Sequence, residues 1–460
     1  MRLYEPGEIV VARSELPGLA WPAIPDAERQ GVLSVLAQLQ YSQFYGPERL
    51  RALQYLQLGN VVRYAQRASP WYRKSLAGVE PRGLDDATWS TLPLLTRRVL
   101  QERASHVATP PPKAHGKVRR ITTSGSTGAP VSMNQTGLTE LFWNAFALRE
   151  LLWRRADLTE RLAIVRLSLD PAAAWPEGAR TPGWLRLGDA IAPQAESRVL
   201  DIRTPVRKQL EWLRRVEPAW LLTYPSNLHH LALEARRQGL GLPTLRGAIT
   251  LSEVLRPETR ALVHEVFGVA IGDSYTTQEA GYLAIQCPEH ERYHVQSEGV
   301  LLEVLDGDGK PVPPGGVGRV VISTLHNLAT PLIRYEVGDW AEVGPPCPCG
   351  RGLPVLTRIL GRERNLLITP DGDRVYPFFG TAALVERLPV LQHQLVQTAR
   401  DALEMRLVTG RPLEEAEVAW VVAHLRERLG ADYRVEVTFH DALERGASGK
   451  FEDFVCLVED

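Results

Sequence analysis

Alternating short apolar runs and amphipathic helices between residues 162 and 275 constrain this chain most. Apolar runs at 162–169, 220–223, 248–251 and 269–275 are separated by helical patterns at 207–216, 228–238 and 257–267. This rhythm predicts parallel strands with covering helices. Ligands of such sheets sit beyond the carboxyl ends of the strands. Ser226, Glu253 and the segment 274–279 all follow predicted strand ends.

The flanking regions have other patterns. Residues 1–30 are proline-rich and irregular, and 31–74 carry leucines at helical spacing. Residues 92–96 read as a loop into a helix capped by Thr96, and 138–153 as an apolar helix. Its Phe142, Trp143 and Phe146 suit core packing or a pocket wall. Residues 299–322 are β-rich, with turns at Asp306-Gly307-Asp308-Gly309 and Pro313-Pro314-Gly315-Gly316, which predicts an antiparallel hairpin subdomain. The pattern resets near Gly361, and about a hundred residues follow, a size that suits a separate small domain. The expected fold is α/β. A large N-terminal domain (1–361) holds parallel sheets covered by helices plus the β-rich subdomain, and a small mobile α+β domain (362–460) follows.

The 460 residues carry a formal net charge of −1, so no global field points to nucleic acid or a membrane surface. No apolar run is long enough to span a bilayer, and the first residues lack the apolar stretch of a signal peptide. The four cysteines argue for a reducing, cytoplasmic setting. Phosphate binding, if present, is therefore local. Its candidate is the stretch 121–130, Ile-Thr-Thr-Ser-Gly-Ser-Thr-Gly-Ala-Pro. There, Thr123, Ser124, Gly125, Ser126, Thr127 and Gly128 offer hydroxyls, exposed N–H groups and close backbone approach to an anion. A solvated turn is the plain alternative. No Gly-Lys-Ser/Thr follows, so it is not the P-loop of common NTPases.

Cys287 is followed by His290 and His294, and Cys347-x-Cys349 comes some fifty residues later. Thiolate and imidazole at such spacing suit tetrahedral zinc. Cys287, His294, Cys347 and Cys349 would form a closed structural site, with His290 as an alternative ligand and ordinary buried cysteines as the other reading.

Five segments, in order, resemble motifs of the adenylate-forming acyl ligases: 123–130; Ser274-Tyr275-Thr276-Thr277-Gln278-Glu279; 332–339, ending in Gly338-Asp339; Gly361-Arg362; and Ser448-Gly449-Lys450. Within that superfamily the chain looks like the phenylacetate–CoA ligase family. Ser69-Pro70-Trp71-Tyr72-Arg73, residues 92–96, Val131 in place of a usual lysine, and Cys347-Pro348-Cys349-Gly350-Arg351 carry that likeness. The resemblance implies activation of a carboxylic acid, aromatic or otherwise hydrophobic, by Mg-ATP to an acyl-adenylate, then transfer to coenzyme A. It implies that 123–128 hold phosphates with Ser274 and Thr276 nearby, and that Glu279 ligates Mg²⁺. Tyr275 would stack on adenine, Asp339 hold the ribose, and Arg362 bind ribose or phosphate. Lys450 would be the catalytic cation, and Arg364 sits at the hinge position. Phe146, Tyr224 and Ser252 are candidates for the acyl pocket. An amine or carrier-protein thiol as acceptor, adenylylation of a deazaflavin cofactor, and a non-catalytic binding role are the alternatives. The oligomeric state, monomer or homodimer, is left open. Departures from the family pattern are Thr276 for glycine, Gln278 for threonine and Gly361-Arg362-Glu363-Arg364-Asn365 at the hinge. Residues 165–175 also lack the family's aromatic- and glycine-rich look, which counts against phenylacetate itself.

Overall fold

The computed structural model describes residues 14–19, 23–122, 131–184, 196–362, 367–371, 374–375, 377, 379, 383–384, 387–445 and 451–458. Its centre is the predicted β/α alternation. Strands Arg161–Arg166, Trp220–Thr223, Gly247–Leu251 and Ala270–Thr277 lie side by side and parallel. The helices between them start and stop where local chemistry dictates. Pro225–Gln238 and Pro257–Phe267 begin on proline, whose missing N–H costs nothing in a first turn. They end on Gly239 and Gly268 in the left-handed conformation. Their apolar faces and the strands' side chains form one buried cluster around Trp212, Leu228 and Val263.

The expected antiparallel hairpin is present, with Val300–Leu305 pairing with Val317–Thr324, and it is continuous with the parallel centre. Strands Val300–Leu305, Val317–Thr324, Tyr335–Val343 and Val355–Arg362 continue antiparallel from the parallel centre through Tyr293–Val295 and Gly281–Gln286, giving one 12-stranded mixed sheet among the described residues. The hairpin turns were legible in the sequence, but sheet membership depends on edge-to-edge pairing between Tyr293–Val295 and Val355–Arg362, which no local pattern encodes.

The early helices Ala27–Ser42, Pro47–Ala68 and Gly137–Trp153 pack over the sheet. Residues 367–456 contribute a separate buried cluster around Phe379, Met405, Leu425 and Phe454. Within it a 4-stranded sheet runs Arg434–Phe439, Ala402–Thr409, Val390–Ala399, Phe454–Cys456, covered by helix Glu415–Leu429. No described helix is long and apolar enough to cross a membrane.

Candidate functional site

A cavity of about 1580 Å³ opens at the carboxyl ends of the parallel strands. The strand-to-helix turns deliver Arg166, Tyr224 and Ser252 to its wall, and strand Ala270–Thr277 delivers Ser274, Tyr275 and Thr276. Ser252 has φ 75°. A non-glycine residue in that region is strained, and such strain persists where the surroundings enforce it.

Asp339 gathers three separated sequence segments. The Tyr275 hydroxyl donates to its Oδ2 at 2.7 Å, and the Arg362 guanidinium lies 3.0 Å from its Oδ1. Arg362 also donates to the Val337 carbonyl at 2.9 Å. Burial and the neighbouring Asp339 carboxylate push the Tyr275 hydroxyl well above its ordinary range, so it stays a donor. A carboxylate offers about four acceptor sites. Two are taken here, which leaves room for a diol.

Glu279, 4% exposed, faces the same cavity and lies 3.6 Å from the Arg97 guanidinium. Arg97 went unremarked in the sequence. The available signal was its place as first residue of helix Arg97–Val107, directly after the Thr96 cap. Residues just before it are tied to the Asp339 strand: Leu95 N–H donates to the Arg334 carbonyl, and Glu336 N–H to that of Leu95. The segment around Ser69 has the same role at the other end. Tyr72 donates to the Pro331 carbonyl at 2.8 Å and accepts from Ile333 N–H at 3.3 Å.

The far wall comes from the C-terminal unit. Glu253, a buried carboxylate, accepts from Ser226 N–H at 3.0 Å and from Phe451 N–H at 2.6 Å, with Arg445 at 3.7 Å. Asp453 is ion-paired with Arg256. Thr123, Ser124, Gly125, Ser126, Thr127 and Gly128, together with Arg364 and Lys450, lie outside the described residues. The strands flanking the glycine-rich stretch, Arg119–Thr122 and Ser132–Gln135, pair with Thr122 opposite Ser132. Phe146 does not line the cavity. It packs between Phe142 and Tyr282, with ring centroids 6.3 and 6.4 Å away. The cavity face of its helix is the stripe Glu140, Trp143, Asn144, Ala147, Glu150 and Leu151, so Phe146 points off it.

Away from the cavity, the donor atoms of Cys287, His294, Cys347 and Cys349 lie within 4.8 Å of one another. Sγ of Cys287 and Cys347 are 3.8 Å apart, and Sγ of Cys349 is 3.3 Å from His294 Nε2. Zinc bonds of about 2.0–2.3 Å put tetrahedral donors roughly 3.3–3.8 Å apart, so the set fits zinc in type and spacing. Burial holds His294 neutral, with its pKa lowered to about 4. His290 is exposed and outside the cluster.

No family model matches the chain. The phenylacetate–coenzyme A ligase of Thermus thermophilus is 29% identical over 391 residues, covering 79% of this chain and 82% of that protein. The phenylacetate–coenzyme A ligase of Aromatoleum evansii is 24% identical over 425 residues, covering 88% and 93%. Among solved structures, a 2-hydroxyisobutyryl-CoA ligase in the postadenylation state superposes with a TM-score of 0.72 at 20% identity, covering 89% of this chain and 90% of that one. With the Asp339 constellation at the strand ends, the chain has the fold of that ligase structure and is similar over most of its length to two phenylacetate–coenzyme A ligases.

Proposed function

We propose that the protein is an ATP-dependent, AMP-forming acid–CoA ligase. A carboxylate attacks the α-phosphorus of ATP, pyrophosphate leaves, and the thiol of coenzyme A then displaces AMP. The obstacle is repulsion between two anions, so the site must position them and neutralise charge. The observation that carries the reading is Asp339 bonded at once to Tyr275 and Arg362, because it assembles a ribose acceptor, an aromatic wall and a cation from segments remote in sequence.

In this reading Asp339 accepts from the ribose hydroxyls and Arg362 fixes the Asp339 carboxylate. Tyr275, anchored through its hydroxyl, is assigned to the base. Glu279 would hold Mg²⁺, a hard cation that prefers oxygen; when bound, the ion supplies neutralisation of the phosphates. Thr123–Gly128 with Ser274 and Thr276 are assigned to the phosphates, and Lys450 to the charge developing between carboxylate and phosphorus. Residues 1–361 and 362–460 are assigned as two domains, a division supported by the separate core of the latter. Arg364 is assigned to the hinge between them. Structural zinc at Cys287, His294, Cys347 and Cys349 belongs to the same reading. Cysteines gathered as thiols rather than disulfides support a reducing, cytoplasmic setting.

The test is ATP–pyrophosphate exchange with aromatic, heteroaromatic and medium-chain acids, followed by the same acids with coenzyme A. Exchange with at least one acid and a thioester in the second stage is expected. Exchange without thioester points to another acceptor, and no exchange with any acid sinks adenylation. Lys450→Ala should lose exchange by about 10²–10³-fold or more while still making thioester from supplied acyl-adenylate. Equal loss of both steps contradicts a domain swing that withdraws Lys450.

A further inference from the structure

The cavity extends past the nucleotide constellation into a chamber walled by Trp143, Ile164, Leu222 and Tyr282, which belong to one packed cluster. An apolar acid needs nothing more. Yet two polar side chains open into this chamber with no hydrogen bond and no carboxylate partner among the described residues. Asn144 is 6% exposed and lines the cavity, and its amide makes no hydrogen bond among the described residues. Arg166, the last residue of its strand, also lines the cavity. Its guanidinium lies 6.0 Å from the centroid of the Tyr224 ring and pairs with no carboxylate among the described residues. The contrast with Arg149, Arg334 and Arg362, each bound to an acid, is plain. Glu150 lines the same chamber but is spoken for: it accepts from Ser274 and, at 3.1 Å, from Tyr282. Burial pushes its carboxyl up, towards the neutral form.

Both groups reach the space of the cavity, so a ligand that fills it and displaces the water there must offer them acceptors or leave them unpaired. Both are donors, and the guanidinium fork suits an oxygen acceptor. We propose that the acid activated here carries a second oxygen group, a ring hydroxyl or a second carboxylate, bound by Arg166 and Asn144. The proposal rests on the acid–CoA ligase reading and names its substrate class.

Pyrophosphate exchange decides it, because no coenzyme A is present and a role of Arg166 in thiol binding stays silent. The panel is phenylacetic, 4-hydroxyphenylacetic and 4-carboxyphenylacetic acid. At least one substituted acid should exceed the plain one about tenfold in kcat/KM, and which one separates hydroxyl from carboxylate. Arg166→Leu and Asn144→Leu should each bring that preference down towards unity, a loss of up to about tenfold, with Arg166→Lys retaining part of it. Exchange by the lysine variant also shows that substitution at this position is tolerated. A plain acid that matches or beats its substituted twins overturns the proposal and leaves adenylation standing. So does a preference untouched by the variants. Exchange with none of these three acids, when the wider panel does support exchange, overturns the proposal alone; no exchange with any acid of the wider panel overturns both readings.

Discussion

Arg149 shows how one buried residue holds the N-terminal half together. It is 0% exposed, yet it donates to Gln296 at 2.7 Å, to the Leu39 carbonyl at 2.6 Å and to both oxygens of Glu298 at 2.7 and 3.1 Å. Burial pushes the Glu298 carboxyl up, but Arg149 outweighs this and holds it below the usual range. Removing the cation strands a buried anion, which typically costs about 3–5 kcal/mol. Arg149→Met should therefore destabilise the protein by that order in urea titration, and adding Glu298→Gln should recover part of the loss. A cost under about 1 kcal/mol would refute this. Glu279→Gln is a different matter: it keeps the shape of the side chain and removes its charge. It should cut exchange by about 10²-fold with little change in the unfolding midpoint.

Elements here are pinned by loops rather than by their own propensity. The loop holding Cys347 and Cys349 lies against the first helices: Gly352 N–H donates to the Gln43 carbonyl at 2.9 Å, and a Cβ on Gly352 would come within 1.9 Å of the Tyr45 carbonyl oxygen. Arg351 stacks 4.6 Å over Trp153. A metal joining this loop to Cys287 and His294 would fasten helices, sheet centre and antiparallel flank at one point. Purified protein should carry one zinc per chain. Chelation or Cys349→Ser should lower the thermal midpoint by several degrees while the C-terminal unit keeps its helix. Absence of zinc by elemental analysis would end that assignment.

At the scale of the whole molecule, the junction between sheet and C-terminal unit is rich in histidine. His229, His230 and His393 lie among Arg256, Arg445, Asp453 and Phe451. Burial lowers all three, His229 and His393 to about 4; the neighbouring histidines and arginines add to this for His229 and His230, while for His393 Asp453 opposes it and Arg256 adds to it. Unfolded or undocked imidazoles bind a proton near 6.5. Between about pH 6.5 and 4 the open state therefore binds more protons, and docking weakens as pH falls through that window. Asp453 is held below its usual range by Arg256, against the pull of burial, so its own loss comes at lower pH. The hydrogen-exchange protection factors of strand Val390–Ala399, taken against the intrinsic rate at each pH, should fall from pH 7 to 5, and His393→Gln should flatten the change. Protection factors independent of pH would show that these histidines do not govern docking.

The local parts of this molecule were written in its sequence. Proline at helix starts, glycine past helix ends, apolar runs of strand length and the cysteine spacing depend on neighbours in the chain, so strands such as Trp220–Thr223 and helices such as Pro257–Phe267 were legible residue for residue. The separated motifs were legible too, as a set of chemical types in order. Contacts across hundreds of residues were not. Only folding brought Asp339 between Tyr275 and Arg362, set Arg97 beside Glu279, turned Phe146 into the core and left Arg166 facing open space. Which face of a helix is buried, and which charge goes unpaired, is decided by what packs against it, and that information exists only once the chain has closed on itself.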